Sequence, residues 1–301
     1  MNTLNNKIPT SKEIVDYYDF SKFDYQLYNF AFSNISMHFG LWDETTHNHR
    51  EALLNENKIL SQLVNITAND YVIDLGCGYG TTAIWLAKNI GCRVVGITIS
   101  EKQVLEAKKE AEKQGVSHLT DFLVMDFHKT NFSDNHFDVA IAIESIAHST
   151  EKSKVLKEIY RILKPNGRLA IADGYFAKNK NSLTPREQEI AQICFEGVHV
   201  PPLAEKQEFE NWLKENVFIE IKWYDKTKNI LKISKKISDF AKLILPISKI
   251  LGFFGFRSLS ISHTKAFINQ YYAWREGLGV MEFFVQRNNI CDIEYISSNF
   301  V

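Results

Sequence analysis

The sequence predicts an α/β fold built on a parallel sheet with helices on both faces. Three observations predict it. Short apolar runs alternate with segments of helical periodicity from residue 51 to residue 173, and alternation at that spacing needs crossover helices on both sides of the sheet. The first run reads Val72-Ile73-Asp74-Leu75-Gly76-Cys77-Gly78-Tyr79-Gly80 and leads into a helical pattern from Thr81 to Lys88, the order strand, glycine turn, helix. Finally, Lys164-Pro165-Asn166-Gly167 punctuates the end of a helix and turns into the next strand.

In chain order, an aromatic-rich stretch at 13–32 predicts one or two capping helices, and 51–64 predicts a helix with Leu53, Leu54, Ile59, Leu60 and Leu63 on one face. Strands are expected near 71–75, 93–98, 121–125, 137–143 and 168–173, with helices near 81–90, 101–114 and 151–163. Helical stretches at 184–196 and 205–216 follow. A sixth strand is expected at 218–224 and a seventh at 281–287. The insertion between them, about 55 residues, has helical spacing; in related folds this region is a lid over the acceptor, and it is expected to be one here. The expected organisation is a cap (1–50), a core (51–225 and 280–288), a lid (226–279) and a tail (289–301).

Composition narrows the function. Hydrophobic residues make up 45% of the 301, enough for a full core. The net charge of -1 gives no global case for a nucleic-acid partner. The charge is uneven: residues 225–260 hold eight Lys/Arg against two Asp, so this stretch carries +6. Cys77, Cys92, Cys194 and Cys291 are scattered, which predicts buried thiols in a reducing compartment rather than a disulfide framework or a metal site. No apolar leader and no run of about 18 uncharged apolar residues is seen, so a cytoplasmic protein is expected.

The glycine loop is built to hold a nucleotide-like ligand, because bare backbone and the free N–H groups of a helix start lie together. A nicotinamide loop needs G-x-G-x-x-G and an acid ending the second strand. Here Thr81 stands at the third glycine position, and the second strand ends Gly96-Ile97-Thr98-Ile99-Ser100. Asp74 two residues before Gly76 instead resembles the first motif of class I S-adenosylmethionine (SAM)-dependent methyltransferases. Asp126-Phe127, Phe137-Asp138-Val139-Ala140, Glu144-Ser145-Ile146-Ala147-His148 and Leu163-Lys164-Pro165-Asn166-Gly167-Arg168-Leu169 follow at that family's distances. His38-Phe39-Gly40-Leu41-Trp42 is similar to a narrower group that includes tocopherol, sarcosine, sugar and prenyl-diphosphate methyltransferases and cyclopropane fatty-acid synthases.

That resemblance implies a Rossmann-like seven-stranded, mostly parallel sheet whose seventh strand runs antiparallel, and SAM as cofactor. It implies Asp74, Gly76 and Gly78 at the methionine end of SAM, and Asp126 with Phe127 at adenine. Thr98 stands where many relatives carry a ribose-binding acid, and Thr98 with Gln103 can hydrogen-bond a diol without charge. Tyr18, beside Tyr17 and Phe20, offers an aromatic face to a sulfonium. Glu144 and His148 are the candidate catalytic pair, four residues apart and on one face if the turn is helical. His38, His199 and Tyr271 are candidate acceptor contacts.

The lid alternates Ile230, Ile233, Ile237, Phe240, Ile244, Ile247 and Leu251 with lysines. Such a pattern describes an amphipathic helix with a solvated basic face; it also suits an anionic membrane or an anionic acceptor group. Together with the aromatic residues around 253–274, it favours a hydrophobic small-molecule acceptor methylated at oxygen or carbon. The alternatives are an N-methyltransferase of a small amine and a non-catalytic SAM-binding module.

Overall fold

The computed structural model describes residues 36, 38–253 and 261–287. The expected cap helices at 13–32, Tyr17, Tyr18 and Phe20, and the tail at 289–301 lie outside the described residues. Seven strands form one sheet: β1 (Tyr71–Leu75), β2 (Arg93–Thr98), β3 (Thr120–Val124), β4 (Phe137–Ile143), β5 (Leu163–Phe176), β6 (Ile219–Asp225) and β7 (Gly279–Arg287). Their order is β3-β2-β1-β4-β5-β7-β6. Pairs from β3 through β5 are parallel, while β7 runs antiparallel to both β5 and β6.

Strand residues alternate between two cores. Val72, Val94 and Val139 pack on one face of the sheet, and Ile73, Val95 and Ala140 pack on the other. Each inner strand is therefore buried on both sides, which is why it reads as an unbroken apolar run. The covering helices are α1 (His49–Leu63), α2 (Thr81–Asn89), α3 (Glu101–Lys113), α4 (Lys152–Ile162), α5 (Pro185–Val198) and α6 (Lys206–Glu215). Two more, α7 (Thr227–Phe253) and α8 (Ile261–Arg275), lie between β6 and β7 in the chain.

β5 is longer than its apolar run. Phe137 pairs with Leu163 and Val139 with Arg168, so the Lys164–Gly167 turn bulges out, with Asn166 at φ 61. At its other end, pairing with β7 extends β5 as far as Phe176, opposite Gly279. β1 sits between β2 and β4, and the chain leaves β1 on one side and returns on the other. The crevice beyond the strand ends at such a reversal is where ligands bind in open α/β sheets.

Helix α7, in the stretch expected to form a lid, is tied to the segment preceding α1. The Trp42 N–H donates to the Asn229 carbonyl at 2.9 Å, and Asn229 Nδ2 donates to the Trp42 carbonyl at 2.7 Å. Lys232 and Lys236 lie over the Trp42 ring at 4.1 and 5.0 Å from its centroid. Ile230, Ile233 and Ile244 are buried as their spacing predicts, but Ile247 is 51% exposed.

Candidate active site

The loop after β1 is fixed by its backbone. Gly76 and Cys77 both donate to the Ile97 carbonyl at 2.9 Å, tying the turn to the end of β2. Gly80, at φ 74, opens α2 with no side-chain cap. A Cβ there would lie 2.6 Å from the Phe122 ring, so only glycine lets the loop settle on β3. Gly78, at φ 52, has nothing within 4 Å of the place a Cβ would take. One glycine serves packing and the other leaves bare backbone toward the cavity.

Asp74 ends β1 with 3% of its surface exposed, and its buried Oδ2 has no hydrogen-bond partner. Burial raises its carboxyl to about 7, against the opposing pull of nearby His38 and the Ala83 N–H. At the end of β2, Thr98 Oγ1 donates to Gln103 Oε1 at 2.6 Å, both residues buried. Ser100 caps α3 by accepting from the Gln103 N–H. Beyond β3, exposed Asp126 accepts from the His128 N–H at 2.9 Å, and Phe127 lies beside it.

The end of β4 departs from the expected helical turn. Glu144 takes φ 46, and a 3-10 turn, Ile146–His148, follows. This backbone break sends the two candidate catalytic side chains to different partners. Glu144 Oε1 accepts from the Phe39 N–H at 2.8 Å. Burial and the charge of Glu56 push its carboxyl well above the ordinary carboxylate range. The His148 ring is bonded to the His199 backbone; burial and the charge of Lys152 hold its imidazole down at about 4. A Glu144–His148 pair, as helical spacing suggested, is therefore replaced by two separate networks in one cavity wall. Asp173, at the end of the expected fifth strand, accepts from the Ala147 and Gly174 N–H groups at 2.8 and 2.9 Å. Burial raises its carboxyl to about 6.

His38 joins this wall from the segment before α1. Its Nδ1 lies 2.5 Å from Glu56 Oε2, which also accepts from the Gly40 N–H at 3.1 Å. Its Nε2 is buried without a hydrogen-bond partner. His38, Glu56 and Glu144 bring donor atoms within 4.8 Å of one another. Sequence reasoning missed Glu56. A signal for it exists: the carboxylate stands three residues after Leu53 and four before Leu60, on the buried stripe of α1.

His38, Phe39, Asp74, Glu144, His148 and Asp173 line one cavity of about 320 Å³, with Glu56 behind His38. Its polar end holds Asp74, Gly76, Gly78, Thr98, Gln103, Asp126 and Phe127, with Glu144, His148 and His38 toward the middle. The other end is apolar, walled by Phe176, Phe195, Leu203, Ile237, Phe267 and Trp274. Two expected acceptor contacts fall elsewhere. His199 caps α5 in the left-handed region at φ 51 and is not among the residues lining the cavity; its backbone bonds the His148 ring, and its imidazole also acts electrostatically on that ring. Tyr271 packs against Tyr272 and under Arg275, 5.4 Å from its ring centroid, while Phe267, Gln270 and Trp274 are the α8 residues that face the cavity. Tyr271 stands four residues after Phe267 and three before Trp274, at the edge of the same helix face, so spacing alone did not resolve which aromatic lines the cavity.

A mostly parallel sheet with this strand order and a glycine cradle beside a buried carboxylate defines a nucleotide-type binding fold whose cavity continues into an apolar end. The chain belongs to the methyltransferase domain family, whose model matches residues 66–231. Among curated proteins it is 33% identical to the methyltransferase GfsG of Streptomyces halstedii, over 54% of this chain and 58% of that protein. It is also 33% identical to a sterol 24-C-methyltransferase of Eremothecium gossypii, over 48% of this chain and 39% of that one. The chain thus spans about half the length of the curated relatives it matches. Among solved structures it is similar to the [4+2]-cyclase SpnF, with a TM-score of 0.74, 21% identity and coverage of 95% and 98%. It is likewise similar to geranyl diphosphate C-methyltransferase from Streptomyces coelicolor A3(2), solved with Mg2+, geranyl diphosphate and S-adenosyl-L-homocysteine (TM-score 0.70, 16% identity, coverage of 94% and 100%). The family's cofactor is SAM, and the residues present fit it. The partnerless buried Oδ2 of Asp74 suits an ammonium group, and the open side of Gly78 leaves room for a ligand against the backbone.

Proposed function

We propose that the protein is a SAM-dependent methyltransferase acting on oxygen or carbon of a hydrophobic or amphiphilic small molecule. One observation carries this reading: a single cavity joins the glycine cradle and buried Asp74 to a chamber walled by Phe176, Phe195, Phe267 and Trp274. Asp74, Gly76 and Gly78 would hold the methionine end of the cofactor. Thr98 and Gln103 would meet its ribose, and Asp126 with Phe127 its adenine. Bound there, SAM supplies an electrophilic methyl group on a sulfonium centre.

The chain's own residues then have three tasks. The apolar chamber binds the acceptor and excludes water, which strengthens every electrostatic contact inside. The walls fix the acceptor in line with the methyl, and positioning of this kind lowers the barrier by several kcal/mol in order of magnitude. His148, neutral because its value lies at about 4, accepts the proton of an acceptor hydroxyl as the new bond forms. Glu144, whose environment favours its neutral form, keeps its bond to the Phe39 N–H and closes the wall beside the reacting groups. The aromatic chamber disfavours a small polar amine as acceptor. Among the described residues no helix is long and apolar enough to cross a membrane.

The test is transfer from methyl-labelled SAM into fractionated lipid and natural-product extracts. The reading predicts label in an organic-soluble product and equal release of S-adenosylhomocysteine. Label confined to water-soluble amines would overturn the acceptor class.

A further inference from the structure

The outer face of the lid carries an apolar stripe. Leu243, Ile247 and Ile250 are 74%, 51% and 60% exposed, and they account for three of the six large exposed apolar residues among those described. Spacings of four and three place them along one face of α7. Lys235, Lys242 and Lys249, all exposed, recur every seventh residue along one flank of that stripe. Across α7 there are six lysines and one acid, Asp239, which bonds Lys235 and Lys242. The inward side is committed elsewhere: Ser234, Ser238, Ala241, Ile244 and Ser248 are buried.

We propose that this stripe is a docking edge for an anionic lipid bilayer. Leu243, Ile247 and Ile250 enter the headgroup boundary while Lys242 and Lys249 meet the lipid phosphates. An apolar face with a basic flank suits an interfacial helix of this kind. A second copy of the chain fits the surface less well, since pairing two such faces would set lysine rows of like charge together. The same helix offers Ile237 to the acceptor chamber, so docking places the chamber beside the phase that holds its acceptor. That last link rests on the proposed acceptor class; the docking itself does not.

The experiment is flotation of the full chain with vesicles of phosphatidylcholine alone or mixed with phosphatidylglycerol, without acceptor or turnover. Wild type is expected to float with the mixed vesicles and not with neutral ones. L243S/I247S/I250S and K242E/K249E should each weaken binding about tenfold or more, and moderate salt should weaken wild type. SAM binding by calorimetry should be unchanged in both variants, which shows that they are folded. If wild type fails to float, or if both variants float as wild type does, the proposal is wrong. A concentration-dependent dimer lost in the serine variant, without flotation, would assign the face to a second copy and overturn it. Transfer to a detergent-dispersed acceptor is scored separately, so failure of docking and failure of the acceptor reading are distinguishable.

Discussion

His38 Nδ1 lies 2.5 Å from Glu56 Oε2, and both side chains are more than nine-tenths buried. The pair locks the His38–Trp42 segment onto α1, while the same histidine lines the cavity with Asp74 and acts electrostatically on its carboxyl. The segment continues through Phe39, bonded to Glu144, to Trp42, bonded to Asn229 of α7. The proposed cofactor cradle, the cavity wall and helix α7 are thus joined through five consecutive residues.

Asn229→Ala removes one of the two Trp42 bonds without touching the cavity wall. The expected outcome is a several-fold rise in acceptor KM, because the lid loses an anchor worth on the order of 1 kcal/mol, with an unchanged SAM dissociation constant. Steady-state kinetics and calorimetry measure the two effects. An unaltered KM would show that this anchor does not set the lid.

Asp74→Asn separates binding from stability. Asp74 is raised to about 7 in the folded protein from an ordinary 3.8. The folded state therefore holds more protons than the unfolded state between about pH 4 and 7, and this residue lowers stability as pH rises through that window. At pH 8, where the carboxyl is ionised in both states, the shift lowers folding stability of the free protein by roughly 4 kcal/mol. Buried His148, held at about 4, slopes the opposite way between about pH 4 and 6.5, so the difference between wild type and variant isolates Asp74. Asp74→Asn is expected to be more stable than wild type at pH 8 in denaturant titrations, by less at pH 5, and to lose SAM binding. A variant that binds SAM normally would remove Asp74 from the cradle.

The glycines divide in the same way. Gly80→Ala drives a methyl group into Phe122 and Ala107 at positive φ, with an expected destabilisation of about 2 kcal/mol or more. Gly78→Ala meets open space, so only the backbone term, roughly 1 kcal/mol, is expected, while SAM affinity falls because the methyl stands in the ligand's place. Equal effects of both substitutions on melting and on SAM affinity would contradict the assignment.

Much of this was legible in the sequence because the inner strands must be apolar on both faces. β1, β2 and β4 fall where Val72-Ile73, Val94-Val95 and Val139-Ala140 place them. Strand length was less legible: β5 extends to Phe176 through its pairing with β7, a partner more than 100 residues away. At the site, Asp74, Gly76 and Gly78 come together because they are neighbours in one turn. Glu56 was hidden, since its role depends on a contact with His38 across 18 residues. The Glu144–His148 spacing does not carry over because one residue at positive φ redirects both side chains, and spacing does not separate Tyr271 from Phe267 and Trp274, its neighbours on the same helix face.

His148→Ala tests whether the acceptor gives up a proton. With His148 neutral from about pH 5 upward, kcat for a hydroxyl acceptor should show no limb from this residue between pH 6 and 8. The variant should lose about a hundredfold in kcat at an unchanged SAM dissociation constant. Full turnover in the variant would dismiss the base role and point to an acceptor with no proton to lose.

The most direct measurement is titration of the purified protein with SAM and with S-adenosylhomocysteine in a calorimeter, followed by single-turnover transfer to the extract fraction that takes the label. The account predicts saturable binding of both, abolished in Asp74→Asn, and one methyl group moved to an organic-soluble product per cofactor consumed. No heat with either compound, or binding that Asp74→Asn leaves intact, would contradict it.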